Sequence, residues 1–187
     1  PGNQPRPDAR DQVHMRTEEI TIPKLLKQAG YATALSGKWH CNSQFNSDLQ
    51  PQPGDAGFDH WFATHNNAAP SHRNPQNFVR NGNPVGPLEG YSCQIVTTEA
   101  IQWVENQTKT APTQPFFLYL PHTFPHLPLF ASPDFHGKSA NGRYGDSVEE
   151  IDWSTGQILD CLERLDLAKN TLVIFTADHG AYGSEFG

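Results

Sequence analysis

The sequence predicts an α/β fold with a largely parallel β-sheet and flanking helices. Helix-like and strand-like patterns alternate three times along the chain, which is typical of sheets whose strands run parallel. Each strand-like run leads directly into a short polar loop that carries Lys, His or Asp. Because ligands of open α/β sheets bind at the carboxyl ends of the strands, we expect these loops to converge on one site.

The first helix is predicted over residues 21–29, where Pro23 lies in the first turn and apolar side chains keep helical spacing. Gly30 follows as the residue that ends this helix. Residues 31–35 then predict the first strand, and Gly37 starts the loop after it.

Two further helix–strand pairs follow. An amphipathic pattern predicts a helix over residues 94–107, and an apolar run predicts a fully buried strand over residues 116–120. Apolar residues at steps of three and four predict a long helix over residues 144–165, and β-branched and aromatic residues predict a central strand over residues 171–176. The segment before the helix over residues 94–107 is different. It comprises residues 45–92, which are rich in Pro, Gly, Asn and His, and we interpret them as an irregular insertion near the substrate entrance.

The 187 residues suit one domain or part of one, and their formal net charge is −7. The sequence has no block of Lys and Arg, so nucleic acid is not expected as a partner. No apolar run approaches the roughly 20 residues that a membrane-spanning helix needs. The polar, Pro-rich start without an initiator Met and the end within a Gly-rich loop lead us to expect an internal piece of a longer protein.

Lys38 and His40 lie two residues apart in the first polar loop, so both could reach one small anion. The Lys38 ammonium would neutralise charge, and the His40 imidazole would donate a hydrogen bond or carry a proton. His126 lies between two prolines that stiffen its backbone, and it could protonate a leaving oxygen. A surface lysine and ordinary loop histidines are the alternatives that the spacing leaves open.

Asp178 and His179 open the loop after the third strand-like run. A carboxylate and an imidazole could supply two ligands of a metal site that is completed elsewhere, although the same residues also suit a plain turn. Polar residues of the irregular segment could line a polar substrate such as a sugar, or could form a solvent-exposed loop. These residues are His65, Asn66, Asn67, His72 and Arg73.

Three stretches resemble the type I sulfatases of the alkaline phosphatase-like superfamily. Residues 30–40, GYATALSGKWH, closely resemble the second signature of that family. Residues 115–128, PFFLYLPHTFPHLP, resemble the family strand that ends in an active-site His, and residues 171–180, TLVIFTADHG, resemble its late metal-binding strand and loop. The resemblance implies an alkaline phosphatase-like α/β fold, in which residues 1–187 form an incomplete part of a single catalytic domain.

The resemblance also implies a role for each matching residue. Lys38 would contact the sulfate and the nucleophile, and His40 would hydrogen-bond the hydroxyl group of the nucleophile. His126 would lie on the leaving-group side. Asp178 and His179 would bind Ca²⁺, or Mg²⁺ in its place, and many family members have Asn at the position of His179.

The family's nucleophile is a formylglycine made from Cys or Ser in a Cys-x-Pro-x-Arg motif, and no such motif surrounds Cys41, Cys93 or Cys161. The resemblance therefore implies a parent enzyme that hydrolyses sulfate esters of carbohydrates or aryl alcohols, and we expect this piece alone to be inactive. Because the family often acts outside the cytoplasm, we expect the parent to be periplasmic or secreted. Two alternatives stay open, a phosphodiester or phosphonate ester hydrolase of the same superfamily and a non-catalytic module that binds sulfated glycans.

Overall fold

The structure is a computed structural model that describes residues 14–180. Within this range it has three α-helices, one short 3₁₀ helix and one five-stranded β-sheet. The helices are α1 (Ile22–Gln28), α2 (Ser92–Thr110) and α3 (Gly142–Arg164), and the 3₁₀ helix is Ala168–Asn170. The strands are β1 (Ala32–Lys38), β2 (His60–Thr64), β3 (Val79–Arg80), β4 (Asn83–Pro84) and β5 (Phe116–Tyr119).

The strand order in the sheet is β4-β3-β2-β1-β5. Strand β1 pairs in parallel with both β2 and β5, whereas β3 and β4 extend the other side of β2 as antiparallel strands. Helix α2 lies against β1, where the Ser36 hydroxyl donates a 2.8 Å hydrogen bond to the Val96 carbonyl, and α3 packs on α2. The prediction of an α/β fold with a largely parallel sheet is therefore confirmed.

Strand β1 is longer than its sequence pattern predicted, because it continues to Lys38 instead of giving way to a loop at Gly37. Lys38 pairs with Thr64 of β2, and its backbone N–H donates a 2.7 Å hydrogen bond to the Pro121 carbonyl. Since the backbone has partners on both sides, Ser36 and Gly37 stay in the sheet despite their low intrinsic preference for strands.

The predicted irregular insertion over residues 45–92 is not irregular throughout, since it contains β2, β3 and β4. Four of the five residues of β2 are buried, and the ring of Phe62 stacks on Phe78 with centroids 4.8 Å apart. This burial outweighs the polar composition of the surrounding segment, so the prediction was wrong for these strands. The position of the segment near a substrate entrance stays a prediction.

Two strand predictions were wrong, one in the degree of burial and the other in the presence of a strand. Strand β5 is only partly buried, and Tyr119 is 47% exposed, because within residues 14–180 the strand pairs with β1 alone. The expected central strand over residues 171–176 lies in no strand, and Leu172 and Ile174 are 84% and 75% exposed. An extended segment joins a sheet only where a neighbouring strand pairs with its backbone, and no described strand does so here.

The acidic start of α3 has a structural role. Asp146 is 1% exposed and accepts backbone hydrogen bonds from Gly137 at 2.8 Å and from Ser139 at 2.9 Å. Glu150 is fully buried and accepts a 2.7 Å hydrogen bond from the backbone N–H of Ser132. These carboxylates fix the loop that precedes α3.

None of the helices between residues 14 and 180 combines the length and apolar character that crossing a membrane requires.

Candidate active site

Lys38 lies at the carboxyl end of β1, next to the loop that follows β5. Gly37 has a φ of +135°, and a Cβ atom at this position would overlap the carbonyl oxygen of Pro121. Only glycine allows the two segments to approach so closely. This contact brings Lys38 beside the loop to which His126 belongs.

Two opposing effects act on the ammonium group of Lys38. Partial burial lowers its pKa from 10.5, while the negative charge of Asp178 raises it. The same carboxylate adds to the effects of burial and of Cys41 that raise the pKa of Tyr119 on β5. Asp178 therefore lies close enough to the carboxyl end of β1 for its charge to act there, although it is far from Lys38 in sequence.

Three histidines share this region with Lys38. Partial burial is the first cause that lowers the pKa of His40, and the positive charges of Lys38, His65 and His126 lower it further. His40 also has a φ of +48°, an uncommon conformation for a residue other than glycine, which turns the chain sharply after β1. These neighbours of His40, and the 2.8 Å distance between the Asn67 amide nitrogen and Nδ1 of His126, indicate that the loops after β1, β2 and β5 lie close together. The sequence predicted that the loops after β1 and β5 would converge, but it did not predict β2 or its loop.

The loop after β2 contributes His65 and Asn67. Burial lowers the pKa of His65, whose ring lies edge-on to Phe45 with centroids 5.8 Å apart. The Asn67 side-chain amide nitrogen lies 2.8 Å from Nδ1 of His126, whereas Asn66, which was predicted to line the substrate, is an exposed residue. The structure thus links Asn67, rather than Asn66, to the histidine group.

His72 is part of the interior and is not a substrate-facing residue, so that alternative was wrong. It is 2% exposed, its Nδ1 lies 2.9 Å from the Ser92 hydroxyl, and its ring packs edge-on against Phe124 at 4.7 Å. Burial, followed by the charge of His126, lowers its pKa to about 4. His72 therefore supports the loops of the site from beneath in its neutral form.

Asp178 and His179 are both exposed and lie beside each other. The backbone N–H of His179 donates a 3.0 Å hydrogen bond to Oδ1 of Asp178, and Nε2 of His179 lies 3.7 Å from Oδ2. Between residues 14 and 180 no group of three or more His, Cys, Asp or Glu side chains is arranged to hold a metal ion. Since Ca²⁺ takes six to eight oxygen ligands, these residues do not form a calcium site by themselves.

Sequence reasoning named Asn67 only as one of several polar residues in its segment. The residue types alone give no sign that one amide of the Asn66–Asn67 pair would reach a histidine 59 positions away. Which of two adjacent side chains in a loop points inward depends on the loop conformation, and that conformation depends on the packing of distant segments.

A mostly parallel sheet with an ammonium group and imidazoles at its carboxyl edge is suited to binding an anionic ester. The sequence model of the family described as Sulfatase matches residues 4–186. The chain therefore belongs to the sulfatase family, and this membership favours the sulfatase hypothesis over the phosphodiesterase and binding-module alternatives.

Two of the curated relatives are named as sulfatases. The chain is 38% identical to mouse (Mus musculus) N-acetylgalactosamine-6-sulfatase, across 87% of this chain and 33% of that protein. It is 31% identical to human (Homo sapiens) steryl-sulfatase, across 90% of this chain and 41% of that protein. The chain thus spans about a third of the length of the first of these curated relatives.

Solved structures show the same fold. A structure from work on the metabolism of glycosaminoglycans by Bacteroides thetaiotaomicron superposes with a TM-score of 0.69 at 25% identity, covering 87% of this chain and 46% of that one. A second structure, solved in complex with its substrate D-glucosamine-2-N,6-O-disulfate, gives a TM-score of 0.63 at 19% identity, covering 86% of this chain and 49% of that one.

Proposed function

We propose that the protein hydrolyses sulfate esters and that sulfated carbohydrates are its substrate class. The observation that supports this proposal is the meeting of Lys38, three imidazoles and the charge of Asp178 at the carboxyl edge of the sheet. Membership of the sulfatase family selects sulfate among the anionic esters that such a group could bind.

Lys38 would hold the sulfate group. Its ammonium is partly buried at the end of a central strand, so water screens its charge less than that of a surface lysine. A charge-assisted hydrogen bond to a sulfate oxygen would be stronger there than on the surface. The close approach of Gly37 to Pro121 fixes the backbone from which this side chain extends.

His126 would supply a proton to the departing alcohol. A sugar alkoxide is a poor leaving group unless it is protonated, and a positioned imidazole accelerates such a step by about 10²–10⁴-fold. Nδ1 of His126 faces Asn67 and the carbonyl of Leu127, so Nε2 is the nitrogen left to meet the substrate.

His40 would act on the side of the nucleophile. Burial, and after it the neighbouring basic groups of Lys38, His65 and His126, lower its pKa from 6.5, so the ring is mainly neutral at pH 7 and can accept a proton or a hydrogen bond. The family's formylglycine nucleophile would come from a motif that these 187 residues lack, so we assign the covalent step to none of them.

Asp178 would give one oxygen ligand to a divalent cation, which we propose to be Ca²⁺ or Mg²⁺. Such an ion, when bound, stabilises negative charge on the oxygens of the ester. A carboxylate oxygen suits either cation, whereas the nitrogen atoms of His179 suit them less well. The remaining ligands would come from outside residues 14–180.

The substrate proposal draws on the relatives. The N-acetylgalactosamine-6-sulfatases, at 38% identity in mouse, support a sulfated amino sugar. His65 is the first residue of the loop after β2, and its imidazole could hydrogen-bond the hydroxyl groups of such a sugar. Asn66, exposed in the same loop, would face the more distant part of the substrate.

Turnover assays on the intact protein test this proposal, with 4-nitrocatechol sulfate, N-acetylgalactosamine 6-sulfate and bis(4-nitrophenyl) phosphate as substrates. We expect turnover of the sulfates, and a loss of about 10²–10³-fold in kcat for Lys38→Ala, as for removal of one donor to a developing charge. Lys109→Ala is the matched control, because Lys109 lies in the last turn of α2, ahead of the amino end of β5.

Three outcomes would oppose the proposal. Faster turnover of the phosphodiester would support a phosphodiesterase, and binding of the sulfated sugar without turnover would support a binding module. Wild-type kinetics in Lys38→Ala, with circular dichroism showing an intact fold in both variants, would remove Lys38 from the site.

A further inference from the structure

We propose that Asn67 is a positioning residue that decides which ring nitrogen of His126 carries the proton. In the neutral ring, Asn67 would keep the hydrogen on Nε2, the nitrogen that faces the substrate. The tautomer assignment depends only on the geometry of these residues, while its consequence for turnover rests on the sulfatase function proposed above.

Nδ1 of His126 has two polar neighbours of opposite kind. The side-chain amide nitrogen of Asn67 lies 2.8 Å away and can only donate, whereas the carbonyl oxygen of Leu127 lies 2.7 Å away and can only accept. A neutral imidazole has either a lone pair or a hydrogen at Nδ1, so it can satisfy only one of the two at a time. The neighbour that prevails determines the tautomer.

Asn67 is held in place by the segments around it. Its backbone carbonyl accepts a 2.8 Å hydrogen bond from the side chain of Asn77 and a 3.3 Å hydrogen bond from the hydroxyl of Thr64. The Asn77 amide also donates to the Thr64 hydroxyl at 2.7 Å, and Thr64 is a fully buried residue that pairs with Lys38 across the sheet. The amide that faces His126 is therefore anchored to the end of the strand beside Lys38.

The side-chain amide oxygen of Asn67 could also contact the His126 ring, when that ring carries both protons. Its Oδ1 is buried and has no hydrogen-bond partner among the described residues. When His126 carries both protons, its Nδ1–H can donate to the Leu127 carbonyl, and a turn of the Asn67 amide would bring Oδ1 towards the same hydrogen. The doubly protonated ring is the donor: its Nε2–H bond breaks, the proton goes to the leaving oxygen, and the neutral ring keeps its hydrogen on Nδ1, bonded to the Leu127 carbonyl. Proton exchange with water then returns the ring to the Nε2–H tautomer.

Two-bond ¹H–¹⁵N correlation spectra of the intact protein test the assignment, because the nitrogen shifts of a histidine ring report which nitrogen is protonated. At about pH 8.5, where an ordinary imidazole is neutral, we expect the His126 ring to be protonated at Nε2. His126→Gln identifies its signals. In Asn67→Ala the Leu127 carbonyl is the remaining partner, so the proton should move to Nδ1.

Two further variants make this test specific. Asn67→Asp keeps the shape of the side chain but offers only acceptors, so it should also move the proton to Nδ1 even if the alanine variant folds poorly. Asn66→Ala removes the neighbouring amide and should leave the His126 tautomer unchanged. A wild-type ring protonated at Nδ1, or an Nε2–H ring that persists in both Asn67 variants, would overturn the proposal.

Kinetics connect the tautomer to turnover. We expect Asn67→Ala to lower kcat by about 10–100-fold for a sulfated sugar, because the ring that donates from Nε2 loses the side chain that orients it at Nδ1. The loss should be smaller for 4-nitrocatechol sulfate, whose phenol leaves more readily, and KM should change little. An absence of turnover in the wild type would count against the sulfatase function and would leave the spectroscopic result standing.

Discussion

Acidification should destabilise this protein through two histidines, the buried His72 and the partly buried His122. His72 is 2% exposed beneath the candidate site, and Nε2 of His122 lies 3.3 Å from the hydroxyl of Ser154 on α3. Burial is the first cause that lowers the pKa of each ring from 6.5 to about 4. Both rings are therefore neutral in the fold over a pH range in which the unfolded chain takes up protons.

The sign and the size of the effect follow from these values. A folded-state pKa below the unfolded one means that the stabilisation is complete above pH 6.5 and is lost as the pH falls towards 4. At pH 5 the loss is about 2 kcal/mol for each histidine, and well below pH 4 it approaches about 3.4 kcal/mol. Because small domains are stable by only about 5–15 kcal/mol, the two rings together remove a large part of the free energy of unfolding.

Urea unfolding followed by circular dichroism at pH 7, 6 and 5 measures this loss. His72→Asn cannot titrate, so the fall in stability between pH 7 and pH 5 should be about 2 kcal/mol smaller than in the wild type. The variant should be less stable at pH 7, because it loses the ring contact with Phe124.

Two results would refute this reasoning. One is an equal loss of stability between pH 7 and pH 5 in the wild type and in His72→Asn. The other is an NMR titration in which the ring signals of His72 change near the ordinary value of 6.5, which would mean that burial does not keep the ring neutral.

Two further predictions concern the carboxyl end of β1. Gly37→Ala should destabilise the fold by about 2–4 kcal/mol in urea unfolding, because its Cβ would overlap the Pro121 carbonyl, while Gly156→Ala in α3, where space is open, should be neutral or stabilising by up to about 1 kcal/mol. Asp178→Asn should lower the pKa of Lys38 further, since it removes the charge that raises it, and an unchanged Lys38 titration by NMR of ¹³C-methylated lysines would contradict their proximity.

Local sequence patterns were enough to predict the three helices and the first strand. The predicted helices over residues 94–107 and 144–165 correspond to Ser92–Thr110 and Gly142–Arg164. Their apolar residues repeat with the helical period, and this signal needs no knowledge of distant segments. The loops that follow β1 and β5 were predicted to meet because parallel strands end at the same edge of a sheet.

Features that depend on long-range packing were not predictable. Strand β2 lies in a segment rich in turn-forming residues, and it forms because β1 and the ring of Phe78 bury its side chains. Whether His72 faces solvent or the core, and whether Asn66 or Asn67 reaches His126, depends on loop conformation, which has no sequence period. An apolar run such as residues 171–176 predicts a strand but cannot show whether a neighbour is present to pair with it.

The two halves of the candidate site are held in different ways. Backbone hydrogen bonds from Lys38 to the Pro121 carbonyl at 2.7 Å and from Trp39 to the Thr64 carbonyl at 2.8 Å tie the loops after β5 and β2 to the end of β1. Asp178 follows a segment that no described strand pairs with, and its charge interacts with Lys38. Lys38 is thus placed by the sheet itself, and the loops that carry the imidazoles are tied to the end of β1. Their hydrogen bonds do not involve the carboxylate of Asp178, so the half of the site proposed to bind sulfate would be preorganised before the proposed cation binds.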